Sequence, residues 1–339
     1  MIQQKRRLLL LFLAILVVCM LLAVGVGTIT IPPRQTVQII WSALSGSDLT
    51  QFGAGSTILL NLRLPRVLLA ALVGAALAAA GTAFQAFFCN PLADPYIVGV
   101  SAGAALGATI VLGFQLAIFG SQAVAVTVSS FTGAVAVSYL VYWIAQRRAG
   151  FSSLVLLLAG MAVSAFLSAV ISLLMVIKSK NLSETVFWLM GGLAGRGWRE
   201  VGLAFPLVTI GFLALWKLSK ELNLLLLSTE EAQSLGLDVQ STRRKVLALG
   251  SLLAAAAVSV SGLIGFVGLI VPHLVRLILG PDHRYLLPGS LLFGSILLVL
   301  ADLVARTVAA PLELPVGAIT SLCGGPFFLY LLVQAKQEQ

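Results

Sequence analysis

The sequence predicts an all-α integral membrane protein with about ten transmembrane helices. Of its 339 residues, 59% are hydrophobic and only 10% are charged, and the mean hydropathy is +1.06. Soluble proteins carry about 25% charged residues, so this composition excludes an ordinary soluble domain. The 32 glycines are typical of closely packed membrane helices. We expect one polytopic membrane domain over residues 1–339.

Ten apolar stretches approach the length of about 20 residues that a membrane-spanning helix needs. Their limits are 8–30, 65–88, 96–114, 121–145, 153–177, 200–218, 244–261, 263–279, 286–306 and 315–334. The first stretch follows three basic residues, as in a signal peptide, but it is too long for the apolar region of a cleaved signal. We interpret it as a retained span. Residues 184–195 are too short to span and predict a half-helix that enters from one face.

Basic residues set the predicted orientation. With the N-terminus inside, thirteen of the 21 Lys and Arg residues lie on the inner side and eight on the outer side, as the positive-inside rule requires. Both termini would then be cytoplasmic. Spans two to five and spans seven to ten have opposite orientations, the layout of an inverted repeat. The net charge of +9 is scattered over span ends and does not form a nucleic-acid-binding patch.

Glycine spacing marks two places in the predicted bundle. Gly99, Gly103 and Gly107 recur at every fourth position of the third span and form a face that another helix can approach closely, within or between subunits. Three further glycines lie in 262–268, between the seventh and eighth spans. They indicate either a broken helix that lines a cavity or a tight turn between two spans.

One long polar segment, 228–246, interrupts the apolar sequence. Ser228 and Glu231 have the capping-box spacing, so a helix should start at Thr229. Gly236 would end that helix in the left-handed conformation. Its acidic residues cannot enter lipid, so this elbow lies in water against the membrane face. It either transmits force or a signal to a soluble partner or is an ordinary capped loop helix.

The next helix begins after this elbow. Asp238 or Ser241 can cap it, and the basic residues at 243–245 would anchor it at the lipid headgroups.

Ionisable residues are scarce inside the predicted spans. Asp302 lies four residues before Arg306, so the two side chains can pair on one helix face near the outer surface. A proton- or sodium-coupled secondary transporter, the alternative function, needs carboxylates near the membrane midplane, and the chain offers almost none. This favours an external energy source. The chain has no phosphate-binding GxxxxGK[ST] motif of its own.

Cysteine and histidine usage argues against metal or covalent chemistry. Cys19, Cys89 and Cys323 are odd in number and lie in or beside apolar runs, so they do not indicate disulfides. His273 and His283 are the only histidines, and no HExxH motif occurs. A membrane enzyme would need a cluster of His, Asp or Glu. We therefore predict no catalytic residue, no bound metal and no cofactor for this chain.

Three arginines lie on the predicted outer side. Arg63 and Arg66 begin the second span, and Arg306 ends the ninth. Arginine suits bidentate capture of carboxylates, so an acidic soluble partner is one interpretation of these two groups. Binding of lipid headgroups is the other.

Several segments, in order over nearly the whole chain, resemble the FecCD-type permeases. These are the membrane subunits of ATP-binding-cassette importers for ferric siderophores, haem and cobalamin. The matching segments are LRLPR at 62–66, NPLADPYIVGVSAGA at 90–104, EAQSLGLDV at 231–239, GLIGFVGLIVPHLVRL at 262–277, DHRYLLPG at 282–289, ADLVAR at 301–306 and ELPVGAIT at 313–320.

The resemblance implies the type II importer permease fold and its assembly in the inner membrane of a bacterium. Two permeases would join two cytoplasmic ATPases, which bind ATP and Mg²⁺, and one extracytoplasmic binding protein. The segment 219–243 would contain the coupling elbow that enters a groove on the ATPase. The coupling residues would be Ser228, Glu230, Glu231, Ala232, Leu235, Gly236 and Leu237.

The resemblance also implies which residues contact the binding protein and where the cargo crosses the membrane. Arg63, Arg66 and Arg306 match positions at which the family's permeases pair with glutamates of the binding protein. The path would follow the axis of a homodimer, lined by the fifth span, the short helix after it and the tenth span. Its apolar lining would include Met161, Met175 and Met190.

Overall fold

The computed structural model describes residues 2–27, 31–147, 152–178 and 182–335, which are almost entirely helical. The helices are α1 (Ile2–Gly25), α2 (Pro33–Ser45), α3 (Ala54–Thr57), α4 (Leu64–Phe87), α5 (Val100–Phe114), α6 (Gln122–Gln146), α7 (Ser153–Ile177), α8 (Leu182–Leu189), α9 (Trp198–Lys217), α10 (Ser219–Leu224), α11 (Thr229–Ser234), α12 (Val239–Ser261), α13 (Val267–Leu279), α14 (His283–Thr307) and α15 (Val316–Ala335).

Ten of these helices correspond in order to the ten predicted spans: α1, α4, α5, α6, α7, α9, α12, α13, α14 and α15. Seven spans are long and apolar enough to cross a membrane; α5, α13 and the described apolar part of α15 are shorter. The predicted multi-pass, all-α membrane fold is therefore confirmed. The short helix expected in 184–195 is α8.

The first and third spans show how helix starts differ from the sequence prediction. The first span, predicted from residue 8, begins at Ile2 because the basic residues at 5–7 are good helix formers and extend the helix beyond the apolar run. Positions 28–30 of that predicted span lie outside the described residues. The third span begins with a 3₁₀ turn, Pro95–Val98, and Gly99 at φ +82° separates this turn from α5.

The hydropathy pattern missed α2 entirely. This helix is amphipathic, with Pro33 at its first position and Gly46 in the left-handed conformation at its end. Its polar face makes it too hydrophilic for a span, and Trp41 and Val37 are exposed on its surface. It therefore lies outside the set of ten spans.

Helix α4 occupies the centre of the bundle and is almost completely buried from Val67 to Phe87. It packs on α12, α13 and α14. A Cβ atom on Gly74 would lie 2.2 Å from the carbonyl oxygen of Gly294, so backbone meets backbone where α4 and α14 cross. Small residues permit this close approach.

The glycine face of the third span has the same function. A Cβ on Gly103 would lie 2.2 Å from the carbonyl oxygen of Gly133 on α6, and one on Gly107 would lie 2.1 Å from that of Ser129. The close helix approach is therefore confirmed, and its partner is a helix of the same chain.

The two ends of α4 define the two faces of the molecule. Arg66 lies in its first turn, and we call this side, with Arg63 and Arg306, the arginine face. At the other end, the Cys89 Sγ donates to the Leu225 carbonyl in the segment leading to α11. We call this side the elbow face. A π-helical turn, Ile58–Arg63, joins α3 to α4 on the arginine face.

Candidate functional site

The elbow face carries the capped helix that the sequence predicts. The Ser228 Oγ accepts from the Glu231 backbone N–H at 3.2 Å, and the Glu231 Oε2 accepts from the Ser228 N–H at 3.1 Å. Gly236 follows α11 at φ +83°. The capping box and the left-handed exit are therefore confirmed. Of the two candidates for the next cap, Asp238 fills that position and accepts from the Ser241 N–H at 2.9 Å.

The predicted coupling residues divide into two sets. Ala232 and Leu237 are buried and hold the elbow against the bundle, where α11 packs on α12. The exposed set consists of Ser228, Glu230, Glu231, Leu235 and Gly236. Leu235 is the exposed apolar member, with 62% of its surface accessible. An exposed leucine among acidic residues gives the elbow a surface that a soluble protein can bind.

The segment that leads into the elbow is fixed by a cluster that sequence reasoning missed. The Asn223 Nδ2, near the end of α10, donates to the Asp282 Oδ1 at 2.9 Å. The Asn223 Oδ1 accepts from the His283 backbone N–H at 2.9 Å and lies 2.7 Å from the His283 Nδ1. The Asp282 carboxylate also accepts from the Arg284 side chain. The hydrogen bond from the Arg284 side chain, and to a lesser extent that from Asn223, lowers the pKa of Asp282 below its usual range. This carboxyl is therefore ionised at neutral pH.

On the arginine face, the buried Asp302 carboxylate contacts both Arg66 and Arg306. The Arg66 Nε and Nη2 each lie 2.9 Å from the Asp302 Oδ1, and the Arg66 Nη1 donates to Glu313 at 2.9 and 3.0 Å. The Arg306 Nε lies 3.7 Å from the Asp302 Oδ2. The predicted Asp302–Arg306 pair is confirmed. Asp302, Arg66 and Arg306 are 1%, 11% and 7% exposed, so these three charges face one another largely out of water, whereas Glu313 is 43% exposed.

The prediction of two separate arginine groups was wrong, because Arg66 and Arg306 share Asp302. Arg63 and Arg306 also hydrogen-bond to the end of α1. The Arg63 Nη1 donates to the carbonyls of Val24 and Gly25, at 3.3 and 3.0 Å, and the Arg306 Nη2 donates to that of Ala23. Guanidinium groups at a helix C-terminus satisfy carbonyls that have no partner within the helix.

Two non-helical segments, 190–197 and 262–266, meet beside α8, next to the 3₁₀ turn Pro95–Val98 and the start of α15. The Gly192 N–H donates to the Ser261 carbonyl at 2.8 Å, and the Gly317 N–H donates to the Gly191 carbonyl at 3.2 Å. The Tyr96 hydroxyl donates to the Ile264 carbonyl at 2.9 Å. These bonds satisfy backbone groups that have no partner within a helix.

A cavity of about 410 Å³ opens at this junction. Its lining residues are Tyr96, Ser101, Leu189, Met190, Leu263, Gly265, Gly317, Ala318 and Ser321. Residues 262–266 form a non-helical segment of five residues between α12 and α13, and Leu263 and Gly265 of this segment line the cavity. This agrees with a broken helix that lines a cavity and not with a tight turn between two spans. Met190 lies in this lining. Met161, which is exposed, and Met175 lie on α7, outside it.

A second cavity of about 460 Å³ is also lined by α8 and the loop after it. Its lining includes Glu184 and Trp188 of α8, Arg196 in the following loop, and the Arg66–Glu313 ion pair. Helix α8 and the loop after it thus line both a mixed-charge cavity beside the arginine cluster and the mainly apolar cavity that contains Met190.

The fold and these sites define a multi-pass membrane permease. Residues 15–334 match the model of the FecCD transport family, and the chain belongs to that family. The family prediction from the sequence is confirmed.

Named relatives and a solved structure agree with this membership. The chain is 46% identical to the cobalamin import system permease protein of Halobacterium salinarum, covering 92% of this chain and 85% of that one. It is 44% identical to the hemin transport system permease protein of Yersinia pestis, covering 83% and 85%. A solved structure, described as an inward-facing conformation of a metal-chelate type ABC transporter, superposes with a TM-score of 0.85 at 33% identity, covering 97% and 99%.

Proposed function

We propose that this chain is the permease subunit of an ATP-binding-cassette importer that moves a bulky metal chelate across the cytoplasmic membrane. Ferric siderophore, haem and cobalamin are the candidate cargoes, in keeping with the cobalamin and hemin permeases among its relatives. The observation that carries the proposal is the elbow: a capped, exposed, acidic helix on one face of an otherwise apolar bundle.

The chain would act as one membrane unit in a homodimer, with both termini and the elbow face in the cytoplasm. Each elbow, within 219–243, would enter a groove on an ATPase that binds ATP and Mg²⁺. The exposed Leu235 would contact the groove, while the buried Ala232 and Leu237 keep α11 on the bundle. Closure of the two ATPases would then move the elbows and open the dimer to one side at a time.

The cargo would pass along the dimer axis, beside α7, α8 and α15. The cavity lined by Met190 supports this path, because its walls offer backbone groups that are already hydrogen-bonded and mostly apolar side chains. A bulky chelate finds few strong contacts on such a wall, so it can move on. Met161 and Met175 would line the same path from α7.

An extracytoplasmic binding protein would dock on the arginine face. Arg63, Arg66 and Arg306 are mostly buried in the single chain, so docking needs an exchange of partners. Glu313 is 43% exposed, whereas the Arg66 side chain is 11% exposed. A glutamate of the binding protein can replace Glu313 on Arg66 without exposing Asp302.

Transport is tested with the full complex in liposomes, with haem, ferric citrate and cobalamin as a panel of cargoes. We expect uptake of one of them to need ATP, the ATPase and the binding protein. Uptake that is driven by a proton or sodium gradient without the ATPase would support the ion-coupled alternative and overturn the proposal.

Docking is tested by charge reversal. Arg66→Glu should weaken binding of the binding protein and uptake, but it also places a carboxylate beside the buried Asp302, so restoration by a charge-swapped binding protein is what assigns the loss to docking. A desolvated charge pair loses about 2–5 kcal/mol when one partner is removed. The matched control is Arg34→Glu, at an exposed arginine on α2. Charge-swapped glutamates on the binding protein should restore docking; unchanged affinity and salt dependence in Arg66→Glu would exclude this surface.

A further inference from the structure

The elbow is connected to the bundle by more than the continuous chain. Helix α11 packs on α12, which follows it directly, but the segment before it is fixed to distant elements. Asn223 contacts the α13–α14 connection through Asp282 and His283, and Leu225 accepts from Cys89, just beyond the end of α4. We call the Asn223, Asp282 and His283 contacts the stem clamp.

The donor and acceptor roles in the stem clamp are fixed by chemistry. The Asp282 carboxylate is ionised and can only accept, so the amide nitrogen of Asn223 faces it as the donor. The Asn223 oxygen therefore faces His283, and the short contact with Nδ1 requires the proton on that nitrogen. Both faces of the amide are used, and an aspartate of the same shape cannot make both contacts.

The clamp holds the first residue of a helix that runs from one face of the molecule to the other. Helix α14 begins at His283, crosses α4 at the Gly74–Gly294 backbone contact, and carries Asp302 and Arg306 near its other end. A displacement of the elbow stem would therefore act directly on a rigid element that reaches the arginine cluster. Helices of this kind carry coupling when two sites both bias their position.

We propose that Asn223 is a positioning residue that transmits movement of the elbow to α14. This inference rests on the proposed transport function. Without the clamp, the ATPase would still bind α11, whose exposed residues are unchanged. Movements of the ATPase would then displace α14 less. Less chelate would therefore be transported for each ATP hydrolysed.

The test uses the complete complex in liposomes and compares the chelate transported per ATP hydrolysed, with haem, ferric citrate and cobalamin as probes. Asn223→Asp places a carboxylate against Asp282. It should lower the ratio about fivefold or more, the lower range of typical allosteric couplings, while ATPase co-purification and basal hydrolysis persist. The double variant Asn223→Asp with Asp282→Asn exchanges donor and acceptor. It should recover part of the lost ratio, because the hydrogen bond to residue 223 is re-formed in the opposite sense while the Asp282 cap on the Arg284 N–H is lost.

Asn223→Ala supplies a second measurement that adds no charge, and it should lower the ratio in the same direction. An unchanged ratio in assembled Asn223→Asp or Asn223→Ala would overturn the inference, as would a double variant that is no better than Asn223→Asp. If the wild-type complex moves none of the three chelates with ATP, the proposed function fails instead. The two failures are therefore distinct.

Discussion

The elbow face and the arginine face hold their polar residues in opposite ways. Around α11 the capping hydrogen bonds join residues three positions apart, and most of the side chains are exposed. Around Asp302 the contacts join residues up to 283 positions apart, and the side chains are largely buried. The elbow is a local structure on the surface, whereas the arginine cluster is part of the core. A single substitution should therefore have different consequences on the two faces.

The largest effect should come from Asp302→Ala. This change leaves two arginines, Arg66 and Arg306, without their shared buried carboxylate. Removal of one partner from a buried ion pair costs about 3–5 kcal/mol. Thermal unfolding of the detergent-solubilised chain should show a large loss of stability. Asp48→Ala, at an exposed carboxylate, is the matched control and should have little effect; equal losses in both variants would contradict a core role for the cluster.

Gly236→Val should have an intermediate effect that is confined to the elbow. A Cβ at Gly236 meets no atom within 4 Å, so the substitution acts only through the left-handed backbone at φ +83°. That conformation costs about 1–2 kcal/mol in a residue with a side chain. Co-purification with the ATPase should decrease. Gly46→Val imposes similar strain at the end of α2, where φ is +69°, and should leave co-purification intact; full assembly of Gly236→Val would separate the elbow from ATPase binding.

Ser228→Ala should weaken the elbow slightly less. It removes the hydroxyl that accepts from the Glu231 N–H, and loss of such a cap costs about 1 kcal/mol. Hydrogen exchange in α11 should become faster while α12, capped by Asp238, stays protected. Unchanged exchange in α11 would mean that the ATPase-facing helix does not depend on its cap.

The smallest effect should come from Glu313→Gln. Glu313 contacts the same guanidinium as Asp302 but is 43% exposed, and exposed ion pairs contribute about 0–1 kcal/mol. Thermal unfolding should therefore change little. A loss as large as that in Asp302→Ala would show that burial does not separate the two carboxylates.

These two faces also differ in how well the sequence predicts them. Ser228, Glu231 and Gly236 predict the elbow because capping depends on residues that are neighbours in the chain. The Asp302–Arg306 pair was predictable for the same reason. The participation of Arg66 was not, because it depends on how α4 and α14 cross.

The stem clamp and the ends of the spans show the same limit. The order of the ten spans follows from hydropathy, but nothing in the sequence around Asn223 indicates that its partners are Asp282 and His283, about 60 residues away. Helix α2 was missed because its polar face lowers its hydropathy. Position within the bundle, and not local pattern, determines these features.

Because the turn at Ile58–Arg63 is π-helical, the number of residues in this segment affects how the chain before it is oriented. A π turn accommodates one residue more than a regular turn, so it rotates everything before it by roughly 100° about the helix axis relative to everything after it. Deletion of a single residue there would restore a regular helix and turn Thr57 and its predecessors to another side of α4. The spacing along this stretch therefore determines which side of α4 the chain from α2 approaches, independently of which amino acids fill it.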